Sequence, residues 1–264
     1  MSLSSPHRAL SGRPILIGVG GATSSGKSTL AARLAPLING TILPQDDFAL
    51  PESELRYDER IDGKDWDDPE HSIDYPRFAR ALKGLHEGQP PPPSPKNTAQ
   101  STPEPSARPI SPPSLAGIRA ALAQLKAPVF LIDGFLLYYD RDVRAQLDVC
   151  LLLRGHEEEV RARREGRVYD TAEGTTWSDP PNYFPLILWP SYLKAHRRLF
   201  ENGDVEAGAL AKPGAGDEAE PQGAAFEPLT LIETRGRSEE EVLVHACEAL
   251  EKELARLVRE RRGN

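Results

Sequence analysis

The 264 residues are 39% hydrophobic and 27% charged, a composition typical of a folded globular protein and not of a disordered chain or a membrane protein. With 40 acidic against 32 basic residues the net charge is −8, which argues against a nucleic-acid binder, because such proteins neutralise phosphates. No apolar run reaches the roughly 18 residues that span a bilayer, and the N-terminus lacks the apolar stretch of a signal peptide. Two cysteines cannot form a disulfide framework or a zinc site, which favours a reducing, cytoplasmic location and leaves nuclear access open.

Strand and helix patterns alternate along the chain. The continuous apolar run at 14–20 predicts a buried parallel strand, and 27–38 predicts a helix whose last turn is weakened by Pro36. Further buried strands are predicted at 41–43, 129–132, 149–153 and 229–232. Further helices are predicted at 73–85, at 115–125 and from Ser238 onward, where Ser238 and Glu241 have capping-box spacing. This alternation predicts an α/β fold, with a parallel sheet covered by helices on both faces.

Two segments of low complexity interrupt this pattern. Ten of the 25 prolines lie at 89–113, which predicts a disordered insertion; a proline-rich ligand for a binding domain is the alternative. Glycine and alanine supply 12 of the 23 residues at 203–225, which predicts a flexible surface loop. Apart from a flexible N-terminus at 1–13, the rest of the chain, 14–264, is predicted to form a single domain.

The sequence at 21–28 matches the phosphate-binding loop pattern GxxxxGK[ST] and lies between a predicted strand and a predicted helix. Glycines let backbone N–H groups turn toward phosphate oxygens, and the N-terminus of the following helix adds partial positive charge. Lys27 is predicted to reach the β- and γ-phosphates, and the Ser28 hydroxyl to bind Mg²⁺. A glycine turn that binds nothing is the alternative, which the strand–loop–helix context disfavours. The residues predicted to contact ATP here are Gly21, Ala22, Thr23, Ser24, Ser25, Gly26, Lys27, Ser28 and Thr29.

Acidic residues follow two of the predicted strands. Asp133 lies at the end of one strand, where a carboxylate can hold Mg²⁺ directly or through water. The next residue is Gly134, whereas water-activating ATPases commonly have Glu at this position, so motor-type ATP hydrolysis is disfavoured. Asp46 and Asp47 follow another strand, and a carboxylate there could accept the proton of an attacking hydroxyl, as a kinase requires. A turn or a helix cap is the alternative for these acids. The chain has no NKxD sequence, so a GTPase switch is disfavoured.

A basic cluster occupies 160–169. If this segment is helical, Arg161 and Arg164 share one side, and Arg163 and Arg167 share another. One set could then meet the phosphates of ATP and the other the acceptor, neutralising charge that spreads during phosphoryl transfer. A solvated helix that pairs with the preceding glutamates is the alternative, and the sequence does not decide between the two.

Six segments resemble, in order and spacing, the nicotinamide riboside kinases of the uridine-kinase-like group of phosphate-loop kinases. They are GGATSSGKSTLA, QDDFALPESEL, DWDDPE, LIDGFLLYYD, RREGRVYD and NYFPLILWPSYLK. The resemblance extends from residue 15 to about residue 241 and skips the two segments of low complexity. It implies a P-loop kinase fold with an arginine-bearing lid. The implied reaction transfers the ATP γ-phosphoryl group, with Mg²⁺, to the 5′-hydroxyl of nicotinamide riboside or nicotinic acid riboside, in NAD biosynthesis.

The resemblance also implies roles for individual residues. Asp46 would receive the proton of the 5′-hydroxyl and lie near Mg²⁺, with Ser28 as a direct ligand and Asp133 beside it. Asp67 would hold the ribose 2′- and 3′-hydroxyls, and Trp66 and Tyr169 would enclose the nicotinamide ring. The other substrate contacts implied are Asp47, Phe48, Arg164 and Asp170. The other ATP contacts implied are Arg163, Arg167, Val168, Tyr169, Arg237 and Ser238.

The chain departs from the family pattern at Ala49, where some relatives have an aromatic residue, at Asp133, which replaces Glu, and in its two segments of low complexity. A uridine or cytidine kinase is the alternative enzyme, although an aromatic wall such as Trp66 favours a cationic nicotinamide ring over neutral uracil. A nucleotide-dependent switch or scaffold that uses the proline-rich segment is the alternative without catalysis. The sequence leaves open the preferred riboside, the choice between ATP and GTP, and the oligomeric state, monomer included. It predicts no nucleic-acid or membrane partner.

Overall fold

The computed structural model describes residues 12–93, 112–165, 179–212 and 229–263, together with the backbone of 169–170 and 176–177. The strands are β1 (Ile15–Gly21), β2 (Gly40–Pro44), β3 (Tyr57–Asp58), β4 (Gly63–Lys64), β5 (Val129–Gly134), β6 (Val149–Arg154), β7 (Tyr169–Asp170), β8 (Thr176–Trp177) and β9 (Leu229–Glu233). The helices are α1 (Lys27–Ile38), α2 (Tyr75–His86), α3 (Leu115–Leu125), α4 (Arg141–Arg144), α5 (Glu157–Arg164), α6 (Trp189–His196) and α7 (Glu239–Gly263).

A five-stranded parallel sheet forms the centre, with the strand order β2–β5–β1–β6–β9. The five predicted strands are confirmed to within two residues at either end, and so is the α/β class. In the register of the sheet, Asp133 on β5 lies opposite Val19 on one side and Pro44 on the other. The carboxyl ends of β1, β2 and β5 therefore meet at one edge, and the loops that follow them are neighbours.

Both faces of the sheet are covered by helices, which explains why its strands read as continuous apolar runs. Ile15, Ile17 and Val19 of β1 pack with α1, α3 and α7, whereas Leu16 points to the opposite face. That second face packs against α2, α4 and α6. The alternation along β1 thus divides the core into two layers, one on each side of the sheet.

Tyr138, just after β5, is fully buried and lies against two glycines of β1. A Cβ atom at Gly20 would overlap the ring, and one at Gly18 would lie 3.0 Å from the phenol oxygen. The hydroxyl donates a hydrogen bond of 2.8 Å to the carbonyl of Leu151 on β6. The glycines of β1 therefore make room for a side chain that supports the end of the strand.

Local signals set the helix boundaries. Helix α1 passes through Pro36 and ends at Asn39, whose left-handed backbone closes the last turn, so the proline does not shorten the helix. Helix α2 begins two residues later than predicted, because Asp74 caps it and accepts a backbone hydrogen bond of 3.0 Å. The predicted capping box of α7 is present: Ser238 N–H donates to Glu241 at 2.8 Å, and Glu241 N–H donates back at 3.3 Å.

Helix α6, like the short helix α4, was not predicted from the sequence. A π-helical turn at Phe184–Leu188 continues directly into α6, and both pieces have a proline in their first turn. Trp189 and Tyr192 of this helix are buried in the core. The two prolines obscure the helical pattern in the sequence, because proline usually breaks a helix. Each of them lies in a first turn, where a helix tolerates proline.

The segments 1–11, 94–111 and 213–228 lie outside the described residues, so most of the N-terminal segment and of both segments of low complexity is not described. Where the chain is described, Gly12 N–H donates to the Lys126 carbonyl at 3.1 Å, and Val205 is buried in the core. The predicted domain limits and the flexibility of these segments stay predictions. Among the described helices, none is long and apolar enough to cross a membrane.

Candidate active site

The phosphate-binding loop connects β1 to α1, as its sequence predicts. Gly21 and Gly26 have φ angles of 151° and 94°, a backbone region that side chains rarely allow. Gly26 is the N-cap of α1, and among the described residues no side chain caps this helix. The first N–H groups of α1 therefore face the loop, where they can receive an anion.

Four predicted site residues meet at the edge of the sheet beside this loop. Ser28, Lys27 and Asp46 all lie close enough to the carboxylate of Asp133 to shift its pKa. Burial raises the pKa of Asp133, and the negative charge of Asp46 raises it further, while Lys27 and Ser28 oppose the shift. The structure thus brings together one cation, one hydroxyl and two acids that lie far apart in sequence.

This group of residues fits a magnesium ion. Asp133 Oδ1 is shielded from solvent and has no hydrogen-bond partner among the described residues. A hydroxyl and two carboxylates are the hard oxygen ligands that Mg²⁺ prefers. An added cation would also relieve the repulsion between Asp46 and Asp133.

Gln45 fixes the turn that carries Asp46, a role that sequence reasoning missed. Its side chain is completely buried, and its Oε1 accepts a hydrogen bond of 3.0 Å from the N–H of Leu136, just after β5. A Cβ atom at Gly134 would lie only 2.5–2.9 Å from atoms of this side chain, so Gly134 is required by packing. In the same turn Asp46 is exposed, whereas Asp47 and Phe48 are buried. A substrate contact by Asp47 or Phe48 stays a prediction.

Asp67 and Trp66 lie beside Tyr183, the residue that precedes the π-helical turn. The Tyr183 hydroxyl donates a hydrogen bond of 2.6 Å to Asp67 Oδ2 and accepts one of 3.1 Å from the N–H of Trp66. Burial raises the pKa of Asp67 to about 6, although the positive charge of Arg164 and the Tyr183 hydrogen bond act in the opposite direction. Asp67 is therefore a buried carboxylate that is largely ionised at neutral pH, and its contact with ribose stays a prediction.

Helix α5 contacts the phosphate-binding loop through two arginines. Arg164 forms a bidentate pair with Asp179, with distances of 2.7 and 2.8 Å, and also donates to the Thr23 hydroxyl at 2.7 Å. Arg163 donates to the Ser24 carbonyl at 3.1 Å and pairs with Glu159 at 3.0 Å. The segment is helical only as far as Arg164, where α5 ends, and Arg167 lies outside the described residues. Its arginines pair with acids, as in the alternative of a solvated helix, whereas their contact with ATP phosphates or with the acceptor stays a prediction.

Several predicted site residues are not tested by this geometry. Arg167 and Val168 lie outside the described residues, and of Tyr169 and Asp170 only the backbone is described, as strand β7 paired with β8. Arg237 and Ser238 are exposed in front of α7, where Ser238 caps the helix. Their contacts with nucleotide or substrate stay predictions.

No protein-family profile matches the chain. A curated nicotinamide riboside kinase from Eremothecium gossypii is 35% identical over 207 residues, which cover 73% of this chain and 80% of that protein. The chain belongs to the nicotinamide riboside kinase family. A second relative, from Schizosaccharomyces pombe, is a nicotinamide riboside kinase that is 32% identical over 210 residues, 76% of this chain and 86% of its own length. Among solved structures, an unliganded sugar kinase from Janibacter sp. HTCC2649 is 14% identical, with a TM-score of 0.43 and coverage of 93% of this chain and 98% of its own.

Three residues that hold the candidate site together were missed by sequence reasoning: Gln45, Asp179 and Tyr183. Gln45 lies inside the QDDF segment, where the adjacent acids, and not the amide, indicate chemistry. Asp179 and Tyr183 lie 15 and 116 residues from their partners Arg164 and Asp67. A buried carboxylate is nearly always hydrogen-bonded, but the burial of Asp67 becomes visible only in the fold, so no sequence signal marks its partner.

Proposed function

We propose that this chain transfers the γ-phosphoryl group of ATP to the 5′-hydroxyl of nicotinamide riboside, giving nicotinamide mononucleotide and ADP. One observation carries the proposal: Lys27, Asp46 and Asp133 converge beside the phosphate-binding loop in a member of the nicotinamide riboside kinase family. The site therefore combines a phosphate cradle with an exposed carboxylate. This is what a kinase requires to activate a hydroxyl acceptor.

Asp46 is the general base in this mechanism. Its carboxylate accepts the proton of the 5′-hydroxyl as the oxygen bonds to the γ-phosphorus, while the bond to the β–γ bridging oxygen breaks and ADP leaves. Lys27 neutralises charge on the β- and γ-phosphates as it builds up on the leaving group. The buried Gln45 keeps Asp46 directed outward, since it fastens the same turn to the chain after β5.

The metal site consists of Ser28, Asp46 and Asp133. When bound, Mg²⁺ supplies positive charge to the phosphate oxygens, which lowers the cost of the transition state. Asp133 contributes a carboxylate oxygen that has no other hydrogen-bond partner among the described residues, and Ser28 contributes its hydroxyl. The charge of Asp46 acts on Asp133, and Asp46 serves both the proton and the metal in this proposal.

Asp67 and Trp66 recognise the riboside. The Asp67 carboxylate accepts hydrogen bonds from the ribose 2′- and 3′-hydroxyls, and the ring of Trp66 forms one wall for the pyridinium ring, with Tyr169 as the other. A cation over an aromatic face gains roughly 0.5–2 kcal/mol, more than neutral uracil gains. Arg163 and Arg164 hold α5 against the phosphate-binding loop through Ser24 and Thr23.

The deciding experiment is a panel of ribosides. Purified protein with Mg²⁺ and ATP should form ADP fastest with nicotinamide riboside or nicotinic acid riboside, and mass spectrometry should detect the phosphorylated product. Equal or faster turnover of uridine or cytidine would favour the alternative enzyme. ATP binding without riboside-dependent ADP formation would favour a nucleotide-dependent switch or scaffold.

A second experiment tests how the ring is recognised. Trp66→Ala should lower kcat/KM for nicotinamide riboside more than for uridine, because it removes a face that favours the cationic ring. Asp67→Ala should weaken both ribosides alike by about 1.5–3 kcal/mol of kcat/KM, since the ribose hydroxyls are common to them. An equal loss for the two substrates in Trp66→Ala would contradict the cation argument.

A further inference from the structure

We infer that Tyr183 is a positioning residue for riboside recognition, and that its hydroxyl holds the Asp67 carboxylate and the Trp66 backbone in one fixed arrangement. The inference rests on the proposed function, because it assigns a partner to the acid that would bind the ribose. Tyr183 itself does not touch the substrate in this proposal and acts on it through its hydrogen bond to Asp67.

The geometry gives one hydroxyl two functions. It donates to Asp67 Oδ2 at 2.6 Å, a short bond as expected for a charged acceptor, and it accepts from the Trp66 N–H at 3.1 Å. A hydroxyl has one proton and two lone pairs, so the two bonds are compatible. A carboxylate has acceptor sites on both oxygens, and the Tyr183 bond therefore leaves Asp67 able to accept from ribose hydroxyls.

Tyr183 is itself held firmly. Its side chain is almost completely buried, and it directly precedes the π-helical turn that leads into α6. Burial, together with the charge of Asp67, raises the pKa of this phenol, so it keeps the proton that it donates. A donor fixed by the core orients Asp67 before substrate arrives, and preorganisation of this kind lowers the cost of binding.

Other groups also act on Asp67. Arg164 of α5 stabilises its charge, whereas Asp65 on the same loop and Asp179, the partner of Arg164, destabilise it. Tyr183 acts on Asp67 through a hydrogen bond, whereas these other groups act through their charge, so replacing it leaves the charge of the site unchanged. Tyr183→Phe is therefore a clean test, because the ring that fills the core is retained.

The experiment measures steady-state kinetics of Tyr183→Phe with nicotinamide riboside and Mg-ATP. We expect KM for the riboside to rise about tenfold, the value of one hydrogen bond to a charged group, while KM for ATP and kcat change far less. Without its donor, Asp67 should also ionise at a higher pH, so the acidic limb of kcat/KM should move upward. Tyr75→Phe is the matched control, since it removes another buried hydroxyl from the same core, one without a hydrogen-bond partner among the described residues.

A double-mutant cycle with Asp67→Ala, which removes the acceptor, separates positioning from general damage. If Tyr183 acts through Asp67, adding Tyr183→Phe to Asp67→Ala should cost much less than it costs alone. Multiplicative losses, an unmoved acidic limb, or equal effects in Tyr75→Phe would overturn the inference, provided that melting temperatures show folded proteins. Failure of the wild-type protein to phosphorylate nicotinamide riboside would instead overturn the proposed function, so the two failures are distinguishable.

Discussion

Gly134→Ala should damage activity through a residue that does not touch the substrate. The added Cβ would lie 2.5–2.9 Å from Oε1, Cδ and Cβ of Gln45. These distances are too short for a van der Waals contact, so the buried side chain would have to move. Gln45 would then have to give up its 3.0 Å hydrogen bond to Leu136. Because Gln45 directly precedes Asp46, any displacement is passed to the proposed general base.

The structure sets the expected magnitude. Overpacking of a filled core costs about 1–3 kcal/mol, and loss of a buried hydrogen bond adds about 0.5–1.5 kcal/mol. The sum corresponds to a fall in melting temperature of roughly 5–15 °C for a domain of this size. A displacement of Asp46 by about 1 Å would lower kcat on the order of 10²-fold. The affinity for ATP should change little, since the phosphate-binding loop is not involved.

Melting temperature, kcat and nucleotide affinity are compared for Gly134→Ala and for Gly63→Ala. Gly63 is a matched strand glycine whose added Cβ would meet its neighbours at 3.6–3.7 Å, an ordinary contact, so this control should behave as wild type. Combining Gly134→Ala with Gln45→Ala should recover part of the stability but not kcat. Wild-type kcat and stability in Gly134→Ala would refute the idea that Gln45 fixes Asp46.

Three further outcomes are expected. Asp46→Asn should lower kcat by about 10²–10⁴ with ATP affinity retained, measured by ADP release and nucleotide titration; near-normal turnover of a folded variant would remove Asp46 as the base. Asp133→Asn should raise the Mg²⁺ concentration needed for half-maximal activity, and an unchanged Mg²⁺ dependence would exclude it as a ligand. Since the pKa of Asp67 is raised to about 6, kcat/KM for the riboside should fall as pH drops through this value, because protonation removes the charged acceptor. Asp67→Asn should lose that limb of the pH profile.

The sequence predicts the sheet and most helices because their signals are local. Buried parallel strands appear in the sequence as continuous apolar runs. Helix α7 begins directly after Ser238, as the capping-box spacing of Ser238 and Glu241 predicts. The continuation of Phe184–Leu188 into α6 escapes prediction, because each piece carries a proline near its start.

The candidate site divides in the same way. The sequence predicts its loop residues and the acids after β2 and β5, since parallel strands bring their carboxyl ends together. The sequence does not predict the contact between Tyr183 and Asp67, because this contact depends on how the α6 region packs beside the loop that carries Asp67. No periodicity in the chain encodes that packing.

The contact between Tyr138 and the glycines of β1 limits how this chain can diverge. The ring occupies the space that a side chain at residue 20 would need, so neither position can change alone without loss of packing. A descendant could acquire alanine at residue 20 only if a smaller residue had first replaced Tyr138, and that intermediate would have a cavity beneath the phosphate-binding loop. The two positions are therefore coupled, and exchanging them one at a time passes through a less stable protein.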